Sequence, residues 1–259
     1  GGPQASIDIM KLADAKAQSV FDNCFQVLDG PNAPNLEIRE LDRQIILSLT
    51  NYNDSTVELY SQVDPTLPRT VDTRTYTDEQ LSYKFQGYIL YQFKDATVTT
   101  SDIGNPDKVR TVNAYQCDLK DTIKQIVNNT WDDNLKYWVP KEMVNGNNQG
   151  IKHIFVINDD LFATGTTTLV NNKQYYFCIV SYAYNNFAPF VPSSISLNGT
   201  QSKPFFQGRN NIRTYTAIPH LPVVENNGQI FGSTIDSRPI MQRIEGQGNN
   251  GLILDMAQA

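Results

Sequence analysis

The chain has 259 residues and a formal net charge of -6, from 21 Lys and Arg against 27 Asp and Glu. At this length it can bury a hydrophobic core without disulfides or structural metals. Its acidic balance, with no run of Lys or Arg, excludes a basic surface for nucleic-acid phosphates. No segment approaches the ~18 consecutive apolar residues of a membrane-spanning helix, so direct membrane insertion is not expected. The first residues lack the basic and apolar regions of a signal peptide, and a chain beginning Gly-Gly-Pro is expected to be a mature product or an excised fragment.

The N-terminal segment, 1–30, is predicted to be a helical lead-in followed by a linker. Residues 7–23 are rich in Ala, Lys and Gln and repeat apolar side chains at three- and four-residue steps, the period of one helix face. The apolar residues of this period are Met10, Ala13, Ala17, Val20 and Phe21. Residues 29–34 then carry two prolines, which end regular structure and favour an extended path.

Alternating apolar and polar side chains predict β-strands after the linker. Residues 36–41 and 44–51 form a predicted hairpin, and residues 83–93 a further strand. The side chains predicted to face a core are Ile45, Leu47 and Leu49 in the hairpin and Tyr88 and Leu90 in the later strand.

A long segment, at about 94–168, follows these strands. Residues 109–119 and 151–159 are strand-like, whereas residues 121–129 favour a helical turn, with helix and strand patterns in close competition. Loops of this length without structure are uncommon, so the segment is expected to contain strands or helices of its own.

The clearest strand prediction lies within 169–185, where turn-forming asparagines flank aromatic and β-branched residues. One face carries Tyr175, Phe177, Ile179 and Ser181, and the other carries Tyr176, Cys178, Val180 and Tyr182. A short strand is predicted at 194–198. The tail, 214–259, is predicted to be β-rich, either the start of a further domain or a strap packed on the first.

Three segments together resemble the fibronectin type III family. Residues 31–51 resemble its first two strands, FQGYILYQF (85–93) its third, and LVNNKQYYFCIVSYAYN (169–185) its sixth. In that family a tyrosine at the position of Tyr175 bonds back to the backbone of the preceding turn. Two departures are Leu49, where the family usually has Trp, and the long segment between the third and sixth strands.

The resemblance implies an all-β fold: a fibronectin type III or immunoglobulin-like antiparallel sandwich with a short N-terminal helix. The sandwich would span 31–213, with an insertion at about 94–168. The lead-in of 1–30 and the tail of 214–259 would flank it.

The order of elements also resembles large secreted proteins of the Bacteroidetes that leave the cell by the type IX secretion system. The features are the lead-in ending Phe-Asp-Asn, the Gly-Pro-x-Ala-Pro linker, the sandwich and a tail with Arg-Ile-Glu-Gly-x-Gly-Asn-x-Gly. This resemblance implies an extracellular or outer-membrane surface location for the parent protein. Its partners would be neighbouring domains of that parent or other cell-surface proteins.

Motifs for cofactors and catalysis are weak. Residues 246–251 spell G-x-G-x-x-G, but only eight residues follow, too few for the strand and acidic residue that dinucleotide binding needs, so a hairpin turn is expected. The two histidines, His153 and His220, are far apart and are interpreted as strand-edge or loop residues. The three cysteines, Cys24, Cys117 and Cys178, are too scattered for a metal knuckle, although one disulfide stays open.

Acidic residues provide the only metal hypothesis. Asp159 and Asp160 end a predicted strand, and Asp102 and Asp107 share a loop, where irregular backbone and several oxygens suit calcium. The spacing is not that of an EF-hand, so solvated turn acids are the competing interpretation. No other cofactor is expected.

Trp131, Tyr137 and Trp138 form the candidate ligand-binding set. Aromatic rings flanked by polar groups can bind glycans, but neighbouring residues 137 and 138 would project differently on a helix or a strand. The competing interpretation is a satellite core at one end of the sandwich. The sequence therefore favours a non-enzymatic structural or interaction module, with a carbohydrate-binding module as the alternative and a metal-assisted hydrolase third.

Overall fold

The computed structural model describes residues 28–188 except 66, 68, 72 and 73, and also residues 190 and 201–221; of the first 27 it describes only 7, 10, 11, 14, 17, 18 and 21. The chain divides into two units, Gly1–Leu221 and Pro222–Ala259, and every described residue lies in the first. The strands of the described part are β1 (Asn35–Leu41), β2 (Gln44–Thr50), β3 (Ser61–Val63), β4 (Thr70–Val71), β5 (Arg74–Thr75), β6 (Ser82–Phe93), β7 (Val109–Arg110), β8 (Gln116–Asp118), β9 (Gln125–Asp132), β10 (Tyr137–Asn145), β11 (Ile154–Ile157), β12 (Tyr175–Tyr184), β13 (Phe205–Gln207) and β14 (Thr214–Ala217). Short 3-10 helices span Thr100–Asp102 and Asn113–Tyr115.

The described strands pair antiparallel throughout, which confirms the all-β prediction. The small sheet has the order β1-β2-β11. The large sheet has the order β13-β12-β6-β3, with β14 also paired to β12 and with β7 and β8 also paired to β6. The remaining strands form two hairpins, β9-β10 and β4-β5. Among the described residues no helix is long and apolar enough to cross a membrane.

The small sheet begins with the predicted hairpin. Leu41 pairs with Gln44 across a two-residue turn, and Arg43 in that turn has a φ of 52°, the left-handed conformation that tight hairpin turns require. Ile45, Leu47 and Leu49 are all buried, so the predicted core face of this strand is confirmed.

The main core lies between the two sheets, because side chains of both sheets meet there. Its members include Ile45, Leu47 and Phe155 from the small sheet and Tyr88, Leu90, Tyr175, Phe177 and Ile179 from the large sheet. The strands β6 and β12 pair over most of their length, and Leu90 lies opposite Ile179. The predicted inward direction of Tyr88 and Leu90 is therefore confirmed.

The outer face of the large sheet is also buried. There Ile89, Val180 and Tyr182 pack with Ile126 of β9 and Val144 of β10. Further along the same face, Phe93 and Cys178 pack with Val98 and Val109. The alternation predicted for β12 is thus correct, and both of its faces are covered. The long insertion supplies the cover on the outer side.

A tyrosine fixes the entry into β12 as the resemblance implied. The backbone N–H of Val170 donates a hydrogen bond to Tyr175 Oη at 2.8 Å. Leu169 and Tyr175 are both buried, so the turn is held against the core from two points.

Within the insertion, the predicted helical turn at 121–129 is wrong. Residues from Gln125 onward form β9, because Ile126 and Asn128 alternate toward the interior and β10 supplies a full set of strand partners. Of the predicted strand 109–119, only β7 and β8 form, separated by the turn at Asn113–Tyr115; the strand predicted at 151–159 contains β11.

The large sheet continues past residue 213, where the sequence placed the start of the tail. Thr214–Ala217 forms β14 and pairs with the first half of β12. Cys117 and Cys178 are buried free thiols. The predicted strand at 194–198, the glycine-rich motif at 246–251, the rest of the tail and Cys24 lie outside the described residues, as does most of the helical lead-in.

Candidate functional site: the aromatic arm

The hairpin of β9 and β10, residues 125–145, carries the predicted aromatic set and is called the arm. Its base is anchored to the large sheet by Ile126 and Val144, which belong to the buried outer-face cluster. Asn128 adds polar anchoring: its Nδ2 donates to the Phe205 carbonyl at 3.2 Å and its Oδ1 accepts from the Phe205 N–H at 2.9 Å. The Asn129 N–H donates to the Ser202 carbonyl at 2.7 Å. The base of the arm is therefore a fixed part of the domain.

The free end of the arm exposes large apolar side chains. Trp131, Leu135 and Tyr137 are 48%, 68% and 58% exposed. Large apolar side chains of this kind are more often buried, so three exposed ones at the end of one hairpin are a notable feature.

The two tryptophans lie on one face of the arm. Trp131 pairs directly with Trp138 across the strands, with ring centroids 5.7 Å apart and planes at 70°. Trp138 contacts Phe190 in a second edge-to-face arrangement, at 5.1 Å between centroids. The Trp131 indole N–H donates to Asp133 Oδ1 at 3.1 Å, which fixes the orientation of the exposed ring.

Tyr137 lies on the opposite face, because its cross-strand partner is Asp132, the neighbour of Trp131. The three predicted ligand-binding residues therefore do not share one surface. The edge-to-face geometry of Trp131 and Trp138 also differs from a coplanar platform on which a sugar ring stacks. The sequence did not single out Leu135, which is exposed in the turn of the arm, or Phe190, which contacts Trp138 from outside the arm.

The four aspartates of the calcium hypothesis lie in two separate places, and protein groups already bind the carboxylates of Asp102, Asp159 and Asp160. Asp102 accepts from Lys108 Nζ at 2.7 Å and from the Thr99 N–H at 2.9 Å, and these bonds lower its pKa. The backbone N–H of Asp107 donates to Asn105 Oδ1 at 3.0 Å.

The second pair is also engaged. Asp160 binds Lys173 Nζ at 2.7 Å and accepts from Gln92 and from the Phe162 N–H, while Asp159 accepts from Thr167 at 2.9 Å. Across the described residues, no group of three or more His, Cys, Asp or Glu side chains is close enough to hold a metal ion. In this structure Asp102 and Asp160 form ion pairs with Lys108 and Lys173, and the calcium assignment of the four aspartates stays a prediction.

His153 belongs to a polar cluster that the sequence did not predict, since its partners are far away along the chain. Its Nε2 lies 2.7 Å from Glu58 Oε1, and that oxygen also accepts from Tyr88 Oη at 2.9 Å. The ring of Tyr52 stacks on the imidazole at 3.8 Å between centroids. Glu58 thereby connects the loop after β2 with β6 and with the residue that precedes β11.

This cluster lacks an activated nucleophile. The nearby thiol of Cys117 donates to the Lys152 carbonyl at 3.7 Å, and burial raises its pKa. A protonated buried thiol is a poor nucleophile. The other histidine, His220, lies 2.9 Å from the Ile218 carbonyl and 3.6 Å from Glu40, in a loop position.

A scan against protein-family models, a search of curated proteins and a search of solved structures each found no match. The function is therefore argued from the site alone.

Proposed function

We propose that this chain is a non-enzymatic interaction module of an extracytoplasmic bacterial surface or secreted protein, and that the arm contacts a protein partner. The partner would be a neighbouring domain of the same parent or another cell-surface protein. The location would be extracellular or at the outer-membrane surface, as the resemblance to Bacteroidetes secreted proteins implies.

A fibronectin type III-like origin is part of this proposal. Three features support it: the first two strands pair with β11 in one sheet, β6 and β12 are central in the other, and Tyr175 bonds back to Val170. Immunoglobulin-like sandwiches divide their strands in a similar way. Domains of this kind commonly serve as spacers and contact modules in surface proteins, so the function depends on what is added to them.

The observation that carries the proposal is the contrast between the two ends of the arm. Its base is buried and bonded to the large sheet, whereas its free end exposes Trp131, Leu135 and Tyr137 on both faces. Trp and Tyr dominate the energetic centres of protein interfaces. A hairpin that is apolar on both faces fits a groove in a partner better than it fits a flat, one-sided ligand.

Site-specific photo-crosslinking tests this proposal. A photoreactive residue replaces Leu135 in the parent protein at the cell surface, and an identical residue replaces Leu119, which is also exposed but lies outside the arm. We expect a defined polypeptide adduct from position 135 that disappears when Trp131→Ala is added. Equal crosslinking from both positions, or an adduct unaffected by Trp131→Ala, would contradict the proposal.

A carbohydrate-binding module is the second candidate, because an exposed Trp131 ring is held in place by Asp133 beside its paired Trp138. Glycan-array binding by the purified chain distinguishes the two functions. Binding that is lost in Trp131→Ala, with an unchanged Tm, would favour the glycan. A Tyr137→Ala variant is the matched control, since it alters the opposite face.

A further inference from the structure

Three buried oxygen atoms between the large sheet and the base of the arm have no hydrogen-bond partner among the described residues. They are Gln116 Oε1, Asp118 Oδ2 and Tyr182 Oη. Asp118 is 2% exposed and Tyr182 is 1% exposed. Buried polar atoms are almost always paired, so three unpaired oxygens in one region indicate a ligand.

The strand register places these three side chains on one face of the large sheet. Gln116 and Asp118 of β8 lie opposite Ile89 and Gly87 of β6, so both side chains project from the outer face. Tyr182 of β12 lies opposite Gly87 from the other side. Because Gly87 has no side chain, the phenol extends over it: a Cβ at this position would lie 2.7 Å from Tyr182 Oη. The hydroxyl therefore points across β6 toward Asp118.

The end of the arm closes the region. Gly146, the residue after β10, lies against the Asp118 carboxylate. A Cβ atom added to Gly146 would be 2.1 Å from Asp118 Oδ2. The Gly146 N–H donates to the Lys124 carbonyl at 2.7 Å, and the Asn148 N–H donates to the other oxygen of Asp118 at 2.8 Å. The carboxylate is thus enclosed where the arm leaves the sheet.

The charge in this region is negative, and the hydrogen bonds that Asp118 receives come from backbone N–H groups. The ion pairs of the described residues do not include Asp118. Burial raises the pKa of Asp118, hydrogen bonds from backbone N–H groups, that of Asn148 first, lower it, and the negative charge of Asp121 raises it. Burial and then the Asp118 carboxylate raise the pKa of Tyr182. Asp121 itself accepts from Gln86 Nε2 at 2.8 Å and from the Ile123 N–H at 3.0 Å.

We propose that Gln116, Asp118 and Tyr182 bind a hard metal cation of the size shared by Ca²⁺ and Na⁺, which fastens the base of the arm to the large sheet. Carboxylate, amide and phenol oxygens are hard ligands that suit such ions. A cation satisfies the unpaired oxygens and also balances the carboxylate, whereas a water molecule does only the first. This site is separate from Asp102, Asp107, Asp159 and Asp160, and it does not depend on what the arm contacts.

Terbium luminescence tests the site directly, since Tb³⁺ replaces Ca²⁺ and is sensitised by a nearby phenol. The purified 259-residue chain is freed of metal with a chelator and titrated with Tb³⁺. We expect sensitised emission that CaCl2 or NaCl displaces, which identifies the preferred ion, with MgCl2 less effective. Asp118→Asn is expected to weaken Tb³⁺ binding by more than about tenfold. Asp102→Asn, whose carboxylate lies in the loop beside Lys108, is the matched control and is expected to bind normally.

Thermal unfolding provides the second measurement. Wild type is expected to show a saturable rise in Tm with CaCl2 or NaCl, and Asp118→Asn none. Far-UV circular dichroism checks that Asp118→Asn folds. If Asp118→Asn does not fold, Tyr182→Phe is used in its place, and it is likewise expected to lose the rise in Tm with added cation. Emission that is insensitive to both variants, or a wild-type Tm that no cation raises, would overturn the proposal. So would an Asp118→Asn variant that exceeds wild type in Tm under saturating cation, because the carboxyl would then be held by a proton or a water molecule.

Discussion

Replacing Asn128 with Ala tests whether the arm and the large sheet form one cooperative unit. The Asn128 side chain is buried and satisfies both backbone groups of Phe205, the carbonyl at 3.2 Å and the N–H at 2.9 Å. Alanine would leave both groups buried without this partner, and each such loss costs about 1–3 kcal/mol. The expected decrease in the free energy of unfolding is therefore about 2–6 kcal/mol, a large fraction of the ~5–15 kcal/mol typical of a domain.

Urea unfolding followed by two probes measures this effect. Both tryptophans of the chain, Trp131 and Trp138, lie in the arm, so tryptophan fluorescence reports the arm while far-UV circular dichroism reports the sheets. We expect the two transitions to coincide in wild type and to move together to lower urea in Asn128→Ala. Asn134→Ala, in the exposed loop at the free end, is the control and is expected to change little. Fluorescence and dichroism transitions that separate in wild type would refute the reasoning, because the arm would then unfold independently of the sheet.

Three further predictions concern the large sheet. Tyr175→Phe leaves the Val170 N–H without its acceptor and is expected to lower the free energy of urea unfolding by about 1–3 kcal/mol; an unchanged midpoint would show that the bond contributes nothing. Gly87→Ala places a Cβ 2.1 Å from the backbone carbonyl of Cys117. This overpacking is expected to lower the Tm and to decrease the free energy of unfolding by about 1–3 kcal/mol. An unchanged Tm would mean that β6 and β8 separate easily. Burial raises the pKa of Cys178 to about 12 and also raises that of Cys117. Iodoacetamide at pH 8 is therefore expected to leave both thiols unmodified in the native chain and to label both in urea, as detected by peptide mass spectrometry. Labelling of either thiol in the native chain would contradict its burial.

The two long central strands could be predicted because their chemistry repeats with the period of a strand. In β12 nearly every residue is aromatic, aliphatic or otherwise weakly polar, and both faces are buried, so a short run of strand-forming types between turn-forming asparagines indicated the strand directly. The bond of Tyr175 to the preceding turn could also be anticipated, because donor and acceptor are only five residues apart.

The arm was missed for a physical reason. Its first strand contains the polar pair Asn128 and Asn129, and asparagine is depleted in strands and common in turns, so local propensity did not favour a strand there. The strand forms because Asn128 finds Phe205, 77 residues away, and because Ile126 reaches the outer face of the large sheet. Tertiary contacts of this range leave no local pattern in the sequence.

Clusters of residues that are distant along the chain could not be predicted from the sequence either. Glu58 and His153 are 95 positions apart, and Asp118 and Tyr182 approach each other only because Gly87 lies between them in the folded sheet. The aspartates that did stand out in the sequence are instead bonded to their neighbours. Adjacent acidic residues therefore indicated turns. The buried carboxylate is that of Asp118, a single acidic residue on the short strand β8.

The position of the arm explains why the insertion is long. It also explains why the base of the arm is buried while its free end is exposed. Because β6 and β12 carry apolar side chains on both faces, a sandwich without the insertion would expose Ile89, Val180 and Tyr182 to water. The base of the arm must therefore bury these side chains, which constrains its sequence. At the free end, Trp138 packs against Phe190, whereas Trp131 and Tyr137 remain largely exposed. The proposed contact with a partner would use these two exposed rings, and a base already fixed by folding would reduce the entropy lost when they bind.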